Sequence, residues 1–188
     1  MLEVACRQAR AWQEQYPGDP RLKVSVNLDA QRLRQPNLVD EVSKDLQKTG
    51  LDPSSLILEI TESAIVENEP SANTTLQELA ALGTQLAIDD FGTGYSSMSY
   101  LKRFPANFLK IDRSFVKELE EQPEGRPILS AMIALAQALN MVAITEGVET
   151  AEQLAQLRKM GCEMAQGYCF SEPLSSEAAS ALLATNLR

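Results

Sequence analysis

Short apolar runs alternate with helical patterns along the whole chain. Runs fit for buried strands fall at residues 22–28, 56–61, 85–88, 108–111, 141–145 and 164–170. Between them, Leu38, Val42 and Leu46 share one helical face before Gly50, and Leu76, Leu79 and Leu82 do so before Gly83. Another helix is predicted from Thr150, with Gln153 at capping-box spacing, Leu154 and Leu157 turned inward, and a stop at Gly161. Residues 1–16 carry Glu3, Arg7, Arg10 and Glu14 at helical intervals, which predicts an amphipathic helix rather than a secretory signal. The uncharged run 128–144 contains Ser130, Gln137 and Asn140 and falls short of the ~20 apolar residues that span a bilayer, so it predicts a buried helix followed by a strand. Residues 16–21 and 120–127 are the most loop-like stretches.

Strand and helix in strict alternation imply parallel strands joined by helical crossovers, either as a barrel or as a doubly wound sheet. The polar residues decide between them. Apolar runs end in Asn27, Glu59, Asp89 and Asp90, Lys110 and Asp112, Glu146 and Gln166. In a (β/α) barrel the C-terminal strand ends converge on one mouth, which would gather these groups, whereas an open sheet would spread them along a line. No glycine-rich dinucleotide fingerprint follows the first strand. The expected architecture is therefore an α/β barrel of the TIM type.

Composition narrows the chemistry. With 188 residues, 44% hydrophobic and 23% charged, the chain is expected to fold as one domain with a real core. A net charge of -9 disfavours a nucleic-acid groove. The three cysteines, Cys6, Cys162 and Cys169, have no zinc-type spacing and an odd count, and read as reduced thiols of a cytoplasmic protein. They, Trp12 and the methionines fit core or surface positions rather than a cofactor site. Histidine is absent, so any bound metal must be held by oxygen.

Glu59, Asp89, Asp90 and Glu146, with the neutral oxygen of Asn27, supply hard oxygen ligands of the kind Mg²⁺ or Mn²⁺ prefers. Carboxylates gathered this closely need a cation. The adjacent Asp89 and Asp90 allow one carboxylate to bridge two ions, and two ions can clamp a phosphodiester and generate hydroxide at neutral pH. Lys110 would orient the water or offset charge building on the phosphate. Taken singly, each carboxylate reads better as a helix cap or surface ion pair; their repetition at strand ends favours a site. In Asp90-Phe91-Gly92-Thr93-Gly94-Tyr95-Ser96-Ser97, the glycines permit positive φ, and Ser96 or Ser97 is placed to cap a helix carrying Tyr100 and Leu101. The segment reads equally as a plain turn or as a functional loop whose N–H groups meet an anion.

Taken in order, these motifs resemble a known family: Val26-Asn27-Leu28, Leu58-Glu59-Ile60-Thr61-Glu62-Ser63, Ile88-Asp89-Asp90-Phe91-Gly92-Thr93-Gly94-Tyr95-Ser96-Ser97, Leu109-Lys110-Ile111-Asp112-Arg113-Ser114-Phe115, Glu146-Gly147-Val148-Glu149-Thr150 and Gln166-Gly167-Tyr168. The series is similar to that of EAL-domain proteins, bacterial phosphodiesterases of the second messenger cyclic di-GMP, and covers essentially the whole chain. The resemblance implies a modified (β/α)₈ barrel, often a homodimer, that linearises cyclic di-GMP to pGpG with two Mg²⁺ or Mn²⁺ ions. It implies Asn27, Glu59 and Asp89 at the first ion, with Asp89 bridging to a second ion held by Asp90 and supported through water by Glu146. Lys110 would contact the attacking water; Lys110, Glu146 and Glu59 are the expected catalytic residues. Gln166 and Asp112 fall to the substrate side, and Glu149 would support the strand end around Glu146. Glu62 would anchor the loop of Phe91, Gly92, Thr93 and Gly94, whose ordering in the family couples dimerisation to metal binding. A sensor or diguanylate cyclase-like domain is expected upstream in a parent protein, which can itself be membrane-anchored, with no membrane contact from this segment.

The chain departs from the family pattern in small ways at Asp29, where serine is usual, and at Thr145, where alanine is common. A larger departure is that the Glu-Ala-Leu tripeptide, whose glutamate is a first-ion ligand in the family, occurs nowhere in the sequence. The family's Gln-Pro-Ile strand and the arginine after the tripeptide are also missing. The expectation is thus an enzyme in its intact form, represented here by residues 1–188 without the first strands. The alternatives are a non-hydrolysing cyclic di-GMP receptor or protein-interaction module, and an enolase-like barrel, which the motif series disfavours. A complete barrel of this type has eight strands and ~250 residues, against six strands predicted here. An open seam, or a partner filling it, is expected between the strands at 22–28 and 164–170; a closed eight-stranded barrel of these residues alone would contradict this.

Overall fold

The structure, a computed structural model, describes residues 1–18, 21–67, 69–94, 101–121 and 125–186. Strands β1 (Val24–Asn27), β2 (Leu56–Thr61), β3 (Gln85–Phe91), β4 (Phe108–Ile111), β5 (Val142–Thr145) and β6 (Met164–Ala165) form one sheet in sequence order. Every neighbouring pair is parallel. Among the described residues, helices lie between β1 and β2, β2 and β3, β4 and β5, and β5 and β6, and the sheet curls into an incomplete TIM-type barrel.

Local sequence explains the helices. The helix Leu38–Thr49 buries the Leu38, Val42, Leu46 stripe and ends where Gly50 turns left-handed at φ 67°. The helix Ala151–Lys159 starts from Thr150, and both reciprocal bonds of its capping box with Gln153 are formed. The first helix, Leu2–Gln15, buries Leu2, Cys6 and Ala9. The helix Gly125–Ala138 buries Leu129, Ile133 and Ala136 but leaves Ile128 half exposed, so the run beginning at 128 is amphipathic rather than wholly buried.

Because side chains alternate across a strand, each strand feeds two cores. Leu58 and Ile60, Leu86 and Ile88, and Leu109 and Ile111 face outward into the large core shared with the helices. Their neighbours Ile57, Ala87, Phe108 and Ile144 form a second, separate cluster in the barrel interior. That interior apolar layer is the floor on which the polar strand ends stand.

Several boundaries differ from expectation. β6 has two residues rather than the seven of 164–170, because the chain leaves the ladder at Gly167 to cross the backbone of Val148. A Cβ on Gly167 would lie 2.2 Å from the Val148 carbonyl oxygen, and Phe170 N–H then turns back to the Gly167 carbonyl. β1 is shorter than residues 22–28, whereas β3 runs on through Phe91. The predicted loop at 120–127 is mostly helical, since one helix spans Arg113–Glu121 and the next begins at Gly125. The predicted cap at Ser96 or Ser97 lies outside the described residues.

β1 and β6 are the edges of the sheet and do not pair. Val26 on β1 and Leu28 just after it are buried in the outer core, whereas the inward-facing Ser25 and Asn27 are exposed, as an open barrel requires. A cavity of about 890 Å³ occupies the seam, bounded by Ser25, Ile57, Glu59 and Lys110 on one side and Gln166, Tyr168 and Phe170 on the other. Outside it, the last helix, Ser176–Asn186, meets the first through Trp12 Nε1–H and Tyr16 Oη–H, which donate to Ser180 Oγ (2.7 Å) and the Ser180 carbonyl (3.1 Å). No helix among the described residues is long and apolar enough to cross a membrane.

All three cysteines are free, and burial pushes the Cys6 thiol up to about 11. Since thiolate is the reactive form, Cys6 should resist maleimide at pH 8 in the folded chain and label only on denaturation. Labelling as fast as at the partly exposed Cys162 and Cys169, read by mass spectrometry, would contradict the packing of the first helix.

Candidate active site

The parallel register sets Asn27 opposite Glu59 and Thr61 opposite Asp89. Above the apolar floor, the next inward positions are Glu59 on β2, Asp89 on β3, Lys110 on β4 and Glu146 directly after β5. Lys110 Nζ is the hub. It donates to Glu59 Oε2 (2.8 Å), Asp89 Oδ1 (2.9 Å) and Glu146 Oε1 (2.8 Å). Lys110, Glu59 and Asp89 are each at most 9% exposed, so these are desolvated charges rather than surface pairs.

The electrostatics follow. Burial on its own lowers the pKa of Lys110, but its hydrogen bonds to Glu146, Glu59 and Asp89 outweigh that and hold the ammonium firmly charged. Glu146 is pushed upward, mainly by burial and further by repulsion from Asp89 and Glu59, against the pull of Lys110. Asp90 is also raised, first by burial and then by repulsion from Asp89 and Asp112.

Asp89 and Asp90 are adjacent in a strand and should point to opposite faces. They do not, because the β3–β4 register slips between Ile88 and Phe91 and Asp90 adopts a left-handed φ of 54°. A bulge of this kind re-aims a side chain next to a site. As a result, carboxylate oxygens of Asp89, Asp90 and Glu146 lie within 4.8 Å of one another and could hold a metal ion.

The loop beyond the bulge is tied down from below. Buried Glu62, at the start of the helix Glu62–Glu67, accepts from Gly92 N–H through Oε2 at 3.1 Å, and Gly94 lies against the same carboxylate. Phe91 is buried in the outer core, and Thr93 Oγ1 donates to the Asp90 carbonyl (2.9 Å). Gly92 has φ 98°, and a Cβ there would sit 2.6 Å from the Phe115 ring and 2.7 Å from Met132. Phe115 ends the Leu109 to Phe115 motif, but nothing in the sequence pairs it with Gly92, and Met132 carries no motif signal; only the fold brings them under this loop.

The profile of the EAL domain family matches residues 1–173. The chain belongs to the EAL domain family. Among relatives, the cyclic di-GMP phosphodiesterase NbdA of Pseudomonas aeruginosa is 45% identical over 174 residues, covering 93% of this chain and 22% of NbdA. The solved phosphodiesterase MucR of the same bacterium, in complex with c-di-GMP, superposes at TM-score 0.89 with 42% identity over 95% of this chain and 71% of that one. BlrP1 of Klebsiella pneumoniae, solved with manganese and c-di-GMP, superposes at TM-score 0.80 with 28% identity, covering 93% of this chain and 45% of that one. The EAL domain described here spans about a quarter of the length of such curated relatives as MucR (26%) and NbdA (22%).

Not every residue singled out in the sequence joins the EAL cluster. Asn27 is exposed at the open edge. Gln166 follows β6, bonded through its backbone to the Thr145 carbonyl and to Val148 N–H, and lines the cavity. Asp112 uses Oδ1 to accept from Ser114 N–H and Oγ–H; these bonds outweigh burial and keep its carboxyl below the usual range. Glu149 is exposed, and its N–H donates to Gln153 Oε1 (2.7 Å).

The Gly92 contacts make a stability prediction. Gly92→Ala adds both a disfavoured φ and a clash, and should cost about 1–3 kcal/mol in urea unfolding. An unchanged midpoint would mean that the loop does not pack on Phe115.

Proposed function

We propose that this EAL domain, in its intact form, hydrolyses cyclic di-GMP to linear pGpG. The observation that carries the reading is the cluster of Asp89, Asp90 and Glu146 oxygens joined through Lys110 to Glu59, with Glu59 and Lys110 lining a cavity of about 890 Å³. NbdA and MucR, both similar to this chain, are phosphodiesterases by name.

The donor set fits divalent cations. It is all oxygen and anionic, in a chain without histidine, which suits Mg²⁺ or Mn²⁺ better than zinc or copper. Asn27, Glu59 and Asp89 would hold one ion and Asp89 and Asp90 a second, with Glu146 supporting it. Such ions supply a hydroxide nucleophile at neutral pH and offset the phosphate's charge. In the reaction, water oxygen bonds to phosphorus and the phosphorus–O3′ bond breaks, leaving a 5′-phosphate and a free 3′-hydroxyl. Lys110 orients the attacking water and stabilises charge on the phosphate oxygens. Gln166 and Asp112 contact the nucleotide, and Glu149 steadies the Glu146 turn. Glu62 keeps the loop of Phe91, Gly92, Thr93 and Gly94 in place, and that loop links the site to a homodimer. In a parent protein, sensor or cyclase-like domains upstream set the activity.

A second reading is a receptor that binds cyclic di-GMP without cleaving it; the exposure of Asn27, apart from the buried cluster, favours it. Assaying pGpG with Mg²⁺ or Mn²⁺ separates the two, using this chain and a version extended N-terminally by the strands that the family places there. Hydrolysis by the extended form, lost by a factor of about 10² or more in Glu59→Ala and Lys110→Ala, is expected. Binding without turnover in the extended form would establish the receptor instead.

A further inference from the structure

An ammonium group has three N–H donors, and in Lys110 all three are spent. The partners lie on three different segments: Glu59 on β2, Asp89 on β3 and Glu146 after β5, at 2.8, 2.9 and 2.8 Å. Lys110 therefore sits where the carboxylates converge, with no donor left for a water molecule or a phosphate oxygen. Its side chain is 4% exposed and Glu59's is 9%, so solvent offers little help in keeping the carboxylates apart or together. Remove the positive charge, and three carboxylates face one another in a nearly dry layer, which is strongly unfavourable.

We propose that Lys110 is the built-in counter-cation of the ion-free EAL site and competes with divalent cations for Asp89 and Glu146, becoming free to meet a water only when an ion takes those carboxylates over. This rests on the metal reading above and adds a regulation to it. One lysine serves two states: it holds the strand ends together without metal, and it acquires unpaired donors once metal is bound. Ion occupancy thereby switches the lysine from holding the site to working in it. The same contacts lower the affinity for the first ion, because binding must break ammonium–carboxylate bonds before new ones form.

The test needs no cyclic di-GMP. Wild-type chain and Lys110→Met are compared in low salt by thermal melting without divalent ions and by calorimetric titration with Mn²⁺. The proposal expects the ion-free variant to melt lower and to bind Mn²⁺ at least about tenfold more tightly, since a competing charge at contact distance has gone. If Lys110→Met is unfolded without metal, folding on addition of Mn²⁺ supports the proposal, and remaining unfolded overturns it. Unchanged ion-free melting, or Mn²⁺ affinity equal to or weaker than wild type, also overturns it and leaves the metal reading intact. Failure of both proteins to bind Mn²⁺ overturns the metal reading and the competition with it.

Discussion

The buried ion cluster around Lys110 is the interaction on which this structure turns. Coulomb attraction between an ammonium and three carboxylates must offset the cost of removing all four from water, and it does so only when every donor and acceptor is placed. The parallel ladder does the placing. Glu59, Asp89, Lys110 and Glu146 come from four successive strand ends, and a one-residue slip in any strand would turn its charged group into the outer core. Register and charge balance thus fix each other.

Below the cluster, Ile57, Ala87, Phe108 and Ile144 pack as an apolar layer, three of them also lining the seam cavity, and give the charged groups an apolar base. Above it, the bulge at Asp90 and the glycine contacts of Gly92 turn the segment that follows β3 into a site wall. To the side, the sheet stays open between β1 and β6, so Ser25 and Asn27 meet solvent where a complete barrel would cover them. The cavity in that seam is both the route to the charged layer and the largest exposed consequence of having six strands.

Much of this was legible in the sequence. The alternating elements specify the parallel sheet, two of the apolar runs coincide with β2 and β4 to the residue, and the polar strand ends mark the charged layer. The capping box at Thr150 and Gln153 formed as its spacing predicts. Three things were hidden. The bulge was invisible because adjacent residues in a strand read as facing opposite ways, and only the slip between Ile88 and Phe91 joins Asp90 to Asp89. The role of Lys110 as a hub needs the register of four strands at once. The short β6 depends on Gly167 crossing Val148, a contact between distant segments that leaves no periodic trace.

The central claim is that the polar layer of this EAL domain is a cation site assembled by strand register. Crystals of the domain soaked in Mn²⁺ test it directly through anomalous scattering. A manganese peak in coordination contact with Asp89, and with Asp90 or Glu146, is the expected result. Manganese bound only elsewhere, with Lys110 still paired to all three carboxylates at saturating ion, would contradict the account.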